Sequence, residues 1–494
     1  MSEFVLIPSP VKKNMKTIVV VGMVVFASAL TGGVASAQQT KSAGTQHAPS
    51  KTSGPPEEDR LRMRLQFYPH DADAHKKLIM LLDKKYAFRA IVAEDTTWLN
   101  NNRSDLLALI EIVSYSENAL HDPEYAIAQL RLQLSAVPRK DDPEDFDDWS
   151  DQLAAKMQKR GRPDEALPIL SELIRLNPNE AGFWADYGGV LSALGQSAEA
   201  TRAFRRSIEL NPSMEAFHEG FAEALMKSGD LKGAESEYWA SLSIYEAQYK
   251  KGEPTDSYHS FISSMVKIEA AHGEEHALAE TRMKLAHILL LEKKYDEALV
   301  QAKAALDADH NEFAALYLQA EICDAAGDHD QANKIRENAA LTIQKEAASE
   351  AGWKKTKPDM DPRILFLSDT LWNAQSGHPA FPEEIVSILE PRIASLSGIE
   401  RVELASAYFT LGRVLNAKQQ WEKAITSDSA IDTAVSHFNL GEELLKAGAL
   451  DDASLHLRRA YELDPQNTTF RMENDAVPQR RKENSEKQIV IKNQ

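Results

Sequence analysis

Residues 181–214 read AGFWADYGGVLSALGQSAEATRAFRRSIELNPSM. Trp184, Tyr187, Gly188 and Leu191 fall at i, i+3, i+4 and i+7, which is one face of a helix. Gly195 ends that helix, and Ser197 is placed to cap the next. Ala200, Phe204 and Ile208 mark the inner face of a second helix. Asn211-Pro212 stops it, because a residue before proline is pushed out of the helical region. Large Trp184 and Tyr187 set against small Gly188 and Ala200 let the two helices cross closely.

The same order recurs on both sides. Residues 147–180 supply Leu153, Ala154, Met157, Gly161, Ala166, Leu170, Leu173 and Pro178. Residues 215–248 supply Phe221, Ala222, Leu225, Gly229, Ala234 and Tyr238. These three units resemble the tetratricopeptide repeat (TPR), whose ~34-residue motif is an antiparallel helix pair. The resemblance implies an all-α fold, a right-handed TPR-type solenoid in which each repeat packs on its neighbours. It also implies a binding scaffold and not an enzyme.

Further units follow the register more loosely. Residues 434–467 carry Leu440, Gly441, Leu444, Gly448, Ala453 and Leu457, the second of two C-terminal repeats expected over 401–467. Two TPR-like repeats are expected over 279–346 and degenerate helical repeats over 60–140. Residues 249–278 interrupt the register with an extra helix. Residues 347–400 form an irregular stretch with one helix, starting at Pro382-Glu383-Glu384 and kinked or ended at Pro391. Residues 468–494 are polar and read as a disordered tail.

The chain has 494 residues, 43% hydrophobic and 27% charged, with a net charge of −19. Such a surface disfavours nucleic acid as a partner, which needs a basic face, and leaves other proteins. Lys12, Lys13 and Lys16 precede a 13-residue apolar run, Ile18–Leu30, too short for the ~20 residues of a membrane span. Ala35-Ser36-Ala37 fits small-residue cleavage before Gln38. Residues 1–37 therefore read as a signal peptide, with Met15 a possible true start, and 38–59 as a flexible leader. This predicts a bacterial protein of the periplasm, or secreted, without an integral span once cleaved. Uncleaved, it would be a membrane-anchored envelope assembly factor. Cys323 is the only cysteine, so no intrachain disulfide can form.

His272-Gly273-Glu274-Glu275-His276 fits H-x-x-E-H, which on a helix sets two imidazoles on one face around a carboxylate. A metal-dependent enzyme or small-ligand-binding protein using His272 and His276, with Glu350 as a third ligand, or the 353–381 stretch with Trp353 and Trp372, is the alternative reading. Gly273 and the junction position argue for a solvated helix start instead. His70 to His75 forms a second cluster, in which Asp71 or Asp73 caps the following helix. Trp98, Trp149, Trp184, Trp239 and Trp421 are expected to pack between helices. No phosphate loop, nucleophile motif or cysteine pair occurs, so no cofactor and no metal is expected.

By the resemblance, the first helices line a groove, touching ligand at their second, fifth, ninth, twelfth and thirteenth positions. Here these include Asp148, Asp151, Gln158 and Lys159, then Gly182, Ala185, Gly189 and Ser192, then Glu219, Glu223 and Lys227. The Lys/Arg and Asn set by which chaperone-binding relatives clamp a peptide carboxylate is missing. What remains is a small-lined stretch edged by acids, suited to a helix or extended peptide with some positive charge. Partners are then other proteins, envelope-assembly components among them.

Overall fold

The computed structural model describes residues 55–251, 269–308, 314–349, 364 and 381–492. Among these the regular structure is entirely helical, an α-solenoid of helical repeats. The expected signal peptide, residues 38–54 of the expected leader, residues 252–268 of the expected interruption and most of the stretch with Trp353 and Trp372 lie outside the described residues; within the leader's bounds a helix already begins at Glu57, and helix Glu269–Leu291 covers the end of the interruption.

The founding repeat forms helices Ala181–Ala193 and Ser197–Leu210. Ser197 is the first helical residue there, while Gln196 takes the cap position without a side-chain bond. The close crossing is made by glycine. A Cβ on Gly188 would lie 2.9 Å from the Phe204 ring, and one on Gly220 would lie 3.1 Å from it. Phe204 thus fills the space between two successive first helices, and it stacks on Phe221 with ring centroids 5.6 Å apart. Leu153, Ala200, Phe221, Ala234, Leu440 and Ala453 are buried as the register requires, and Gly441 is buried with them. Trp184 and Tyr187 are only half-buried, packed edge to face at the margin of the Leu191–Ala200–Ala203 cluster. Trp239, expected to pack, is 39% exposed.

One backbone feature fixes the register. Gly161, Gly195 and Gly229, 34 residues apart, have φ of 70°, 73° and 84°. Each closes its first helix by a bond from the next residue to the carbonyl four residues before the glycine, such as Gln196 N–H to Leu191 O at 2.9 Å. Gly327, Gly412 and Gly448 repeat this turn. Tyr86 and Lys293 make the same turn in two further repeats, and His121 makes a turn one residue longer, each with positive φ and without glycine. The first helix of the penultimate repeat, expected from 401, runs Gly398–Thr410. Ser397 and Glu400 cap it reciprocally.

The chain divides into two compact units, Met1–Trp149 with Leu457–Gln494, and Ser150–His456. In the first unit the expected tail is instead a helix, Thr468–Lys492. Phe470 and Val477 on it are buried. Its start is bonded to the start of helix Pro123–Ala136. Asp122 caps that helix at Tyr125 N–H and also accepts from Thr468 N–H at 2.7 Å and Thr469 N–H at 3.0 Å. Asn467 donates to Leu120 O and His121 O. One buried carboxylate therefore caps two helices that lie far apart in sequence. In the second unit, Pro382–Leu389 gives way at Pro391 to a 3-10 turn, Glu390–Ser395. Cys323 is buried between helices, and burial pushes its thiol up.

Candidate interaction face

The first helices of the second unit place most of the groove positions side by side. Helix Pro143–Lys159 brings Asp151, half-buried, and Lys159, exposed. Asp148, exposed, belongs to the first unit. Helix Ala181–Ala193 brings Gly182, Ala185, Gly189 and Ser192. The Gln158 amide covers Gly189, 3.5 Å from where a Cβ would stand. The Asp186 carboxyl is hydrogen-bonded with Asp151. Asp186 keeps solvent access, yet crowding by the surrounding helices pushes it up to about 6, against the opposing pull of Asp151.

Helix Glu215–Lys227 brings Glu219, Glu223 and the exposed Lys227. The two glutamates meet Lys284 of helix Glu269–Leu291, the next first helix. Lys284 Nζ lies 3.2 Å from Glu219, 3.5 Å from Glu223 and 3.2 Å from Glu280. Glu219 also accepts from Thr281 Oγ1 at 2.7 Å and Ser241 Oγ at 3.2 Å. Burial would pull Lys284 down, but Glu219, Glu280 and Glu223 hold it above the usual lysine range. Three carboxylates against one ammonium leave the cluster acidic. Glu219 is thus held inside the fold, and Glu223 is the more exposed of the two.

Sequence reasoning missed Asp186, Glu280 and Lys284. Asp186 and Lys284 share a signal, since each stands sixth in its repeat, counted from Ala181 and Ala279. The groove positions taken from the resemblance skip the sixth.

The histidine clusters fall differently. Asp71 caps helix Ala72–Asp83, accepting from Ala74 N–H at 3.0 Å. His75 stacks flat on Trp98, centroids 4.3 Å apart, and lines a cavity of about 440 Å³ with Arg62, Glu94 and Asn101. Its Nε2 lies 3.0 Å from Asp95, which is fully buried beside Glu111. The stretch from His272 to His276 lies in the first two turns of helix Glu269–Leu291; its side chains, like Glu350, lie outside the described residues. Among the described residues no three His, Cys, Asp or Glu converge to hold a metal. No described helix is long and apolar enough to cross a membrane.

A tetratricopeptide-repeat family profile matches residues 188–247 and 402–468. Among solved structures, the MamA protein is similar at 13% identity, covering 41% of this chain and 95% of its own, with a TM-score of 0.31. YrrB, described as a TPR protein with an unusual peptide-binding site, is similar at 17% identity over 38% and 93%, TM-score 0.29. TPR-like repeats of a putative kinesin light chain from Podosopora anserina reach 16% identity over 41% and 96%, TM-score 0.32. No curated protein matches the chain.

Proposed function

We propose that the protein is a non-enzymatic scaffold that captures a segment of another protein on the first-helix face of residues 150–291. The observation that supports this most is the composition of that face. Gly182 and Ala185 leave room for a backbone or a helix to approach closely, and Gly189 lies under the Gln158 amide, which offers a polar group at the same face. Asp151, Asp186, Glu223 and Glu280 edge the space with negative charge. The fitting partner is an extended or helical segment with lysine or arginine. Opposite charge speeds encounter and excludes acidic competitors. The apolar run before Gln38 supports export, which makes bacterial envelope-assembly proteins the natural source of partners.

The test immobilises the chain from Gln38 and applies envelope extract. A stoichiometric partner retained by the wild type should be lost with Gly189→Arg and with Asp186→Lys, both of which should leave the helical content intact. Retention should also weaken as pH falls through about 6, where Asp186 takes up its proton. Full retention by both variants would place the binding surface elsewhere. N-terminal sequencing of protein recovered from cells should begin at Gln38; a chain that keeps its apolar run would argue for the anchored form.

A further inference from the structure

A buried pair of histidines joins the two helices of the last repeat, Ala434–Lys446 and Leu450–Leu463. His437 Nδ1 and His456 Nδ1 lie 2.9 Å apart, with ring planes 27° from parallel. That is the length of an N–H···N hydrogen bond, so one ring donates and the other accepts. The outer nitrogens decide which. His437 Nε2 lies 3.1 Å from Asp432 Oδ1, and an ionised carboxylate only accepts. His437 therefore carries its proton on Nε2 and offers a bare Nδ1, and His456 donates to it from Nδ1. The remaining nitrogen, His456 Nε2, faces Glu422 at 3.7 Å. The two imidazoles are 9% and 12% exposed. Every element packed around them contributes charge. Lys418 and Glu422 come from helix Val414–Ser427, Asp452 from the helix of His456, and Asp432 from the preceding turn. Lys418 lies 2.6 Å from Asp452 and 3.9 Å from Glu422.

We propose that the line Asp432–His437–His456–Glu422 is an acid-sensitive latch. The proton held between the two rings closes the last helical hairpin, and a further proton opens it. A proton on His437 Nδ1 would set two N–H groups against each other at 2.9 Å with no acceptor between them. A proton on His456 Nε2 can turn toward Glu422, but it brings net charge into a nearly dry seam beside Lys418. Burial first, then His437 and Lys418, hold His456 down to about 4, with Asp452 opposing. The sign follows. The unfolded imidazole takes its proton near 6.5 and the folded one near 4, so the stabilisation is complete above about 6.5 and is lost as pH falls toward 4. The latch holds one repeat and leaves the interaction face on residues 150–291 out of the event, so it stands apart from the proposed function.

Hydrogen–deuterium exchange on the full chain between pH 7.5 and 5 tests it. After correction for intrinsic rates, exchange in helices 434–446 and 450–463 should rise about tenfold per pH unit below 6.5, with helices 181–193 and 197–210 unchanged. His456→Gln keeps a donor for His437 but cannot titrate, so its exchange should stay flat over the same range. An equal acid rise in His456→Gln, or no rise in the wild type, overturns the proposal. Histidine-selective NMR of the unaltered chain gives a second reading that needs no variant. A His456 midpoint near 4 agrees with the latch; one at the ordinary value near 6.5 overturns it.

Discussion

Each unit buries histidine between helices, and the two do so with opposite chemistry. In the first unit, His75 stands among acids. Asp95 touches it, Glu111 lies beside Asp95, and Asp105 accepts from Trp98 Nε1 at 2.7 Å on the other side of the stack. Burial pushes both buried carboxyls up, Asp95 well above its usual range and Glu111 to about 9. In the second unit, His437 and His456 bond to one another and keep their carboxylates at the outer ends. The first cluster therefore holds a proton that the unfolded chain would release. The second excludes a proton that the unfolded chain would accept. Burial alone does not set the pH response of a repeat; what matters is whether the buried excess is acid or base.

The comparison rests on the separation of the units, and three substitutions sharpen it. Phe204→Ala should cost the second unit about 3–5 kcal/mol, because the ring fills the gap between Gly188 and Gly220 and leaves a cavity. Trp184→Ala should cost less than Phe204→Ala, since Trp184 is half-buried. Asp122→Ala should cost the first unit about 3 kcal/mol by removing the cap of two helices at once. Denaturant unfolding should show each loss in its own transition. Loss of both transitions together in any of these variants would mean that the units melt as one, and the comparison would have to be drawn cluster by cluster.

Alkali gives the next largest effect. Glu111 keeps its proton to about 9 in the fold against 4.5 for the free side chain. Its stabilisation is therefore present at low pH and falls as pH rises between those values. Glu111 alone should cost the first unit about 1 kcal/mol per pH unit from 7 to 9, and Glu111→Gln should remove that share of the slope, leaving the part due to Asp95. A first unit equally stable at both pH values would break the contrast with the histidine pair. The smallest effect is a gain. Lys293 is exposed and holds φ at 62°, where other repeats use glycine. Lys293→Gly should stabilise by about 0.5–1 kcal/mol, the left-handed strain relieved less the added chain entropy. Urea midpoints of the two proteins check it.

The repeats with glycine at the turn were legible because 34-residue spacing and the small–large alternation around Gly188 and Phe204 are local signals. The repeats with Tyr86, His121 or Lys293 at the turn were blurred for the same reason, since the backbone makes the turn and the sequence hides it. Helix 468–492 was not legible. Its buried residues Phe470 and Val477 are sparse in a polar stretch, and Asn467, Thr468 and Thr469 find their partners around residues 120–124. On the interaction face, Glu219 and Glu223 could be read from register. Their engagement by Lys284 could not, because an interruption separates the two repeats that meet. Asp95 and Glu111 carry no sign of burial in the sequence, where they look like ordinary surface acids.

The double cap at Asp122 bears on how the chain is made. A ribosome adds about 5–20 residues per second, so Asp122 emerges roughly 15–70 s before the threonines it must hold. During that interval the first unit lacks its closing helix, and the surface that later covers Phe470 stands open to chaperones or to a neighbouring nascent chain. The first repeats to be born are the last to be finished. A circular permutant that moves residues 457–492 ahead of residue 55 would put all the pieces of that unit next to one another in the order of synthesis, and the wait would disappear.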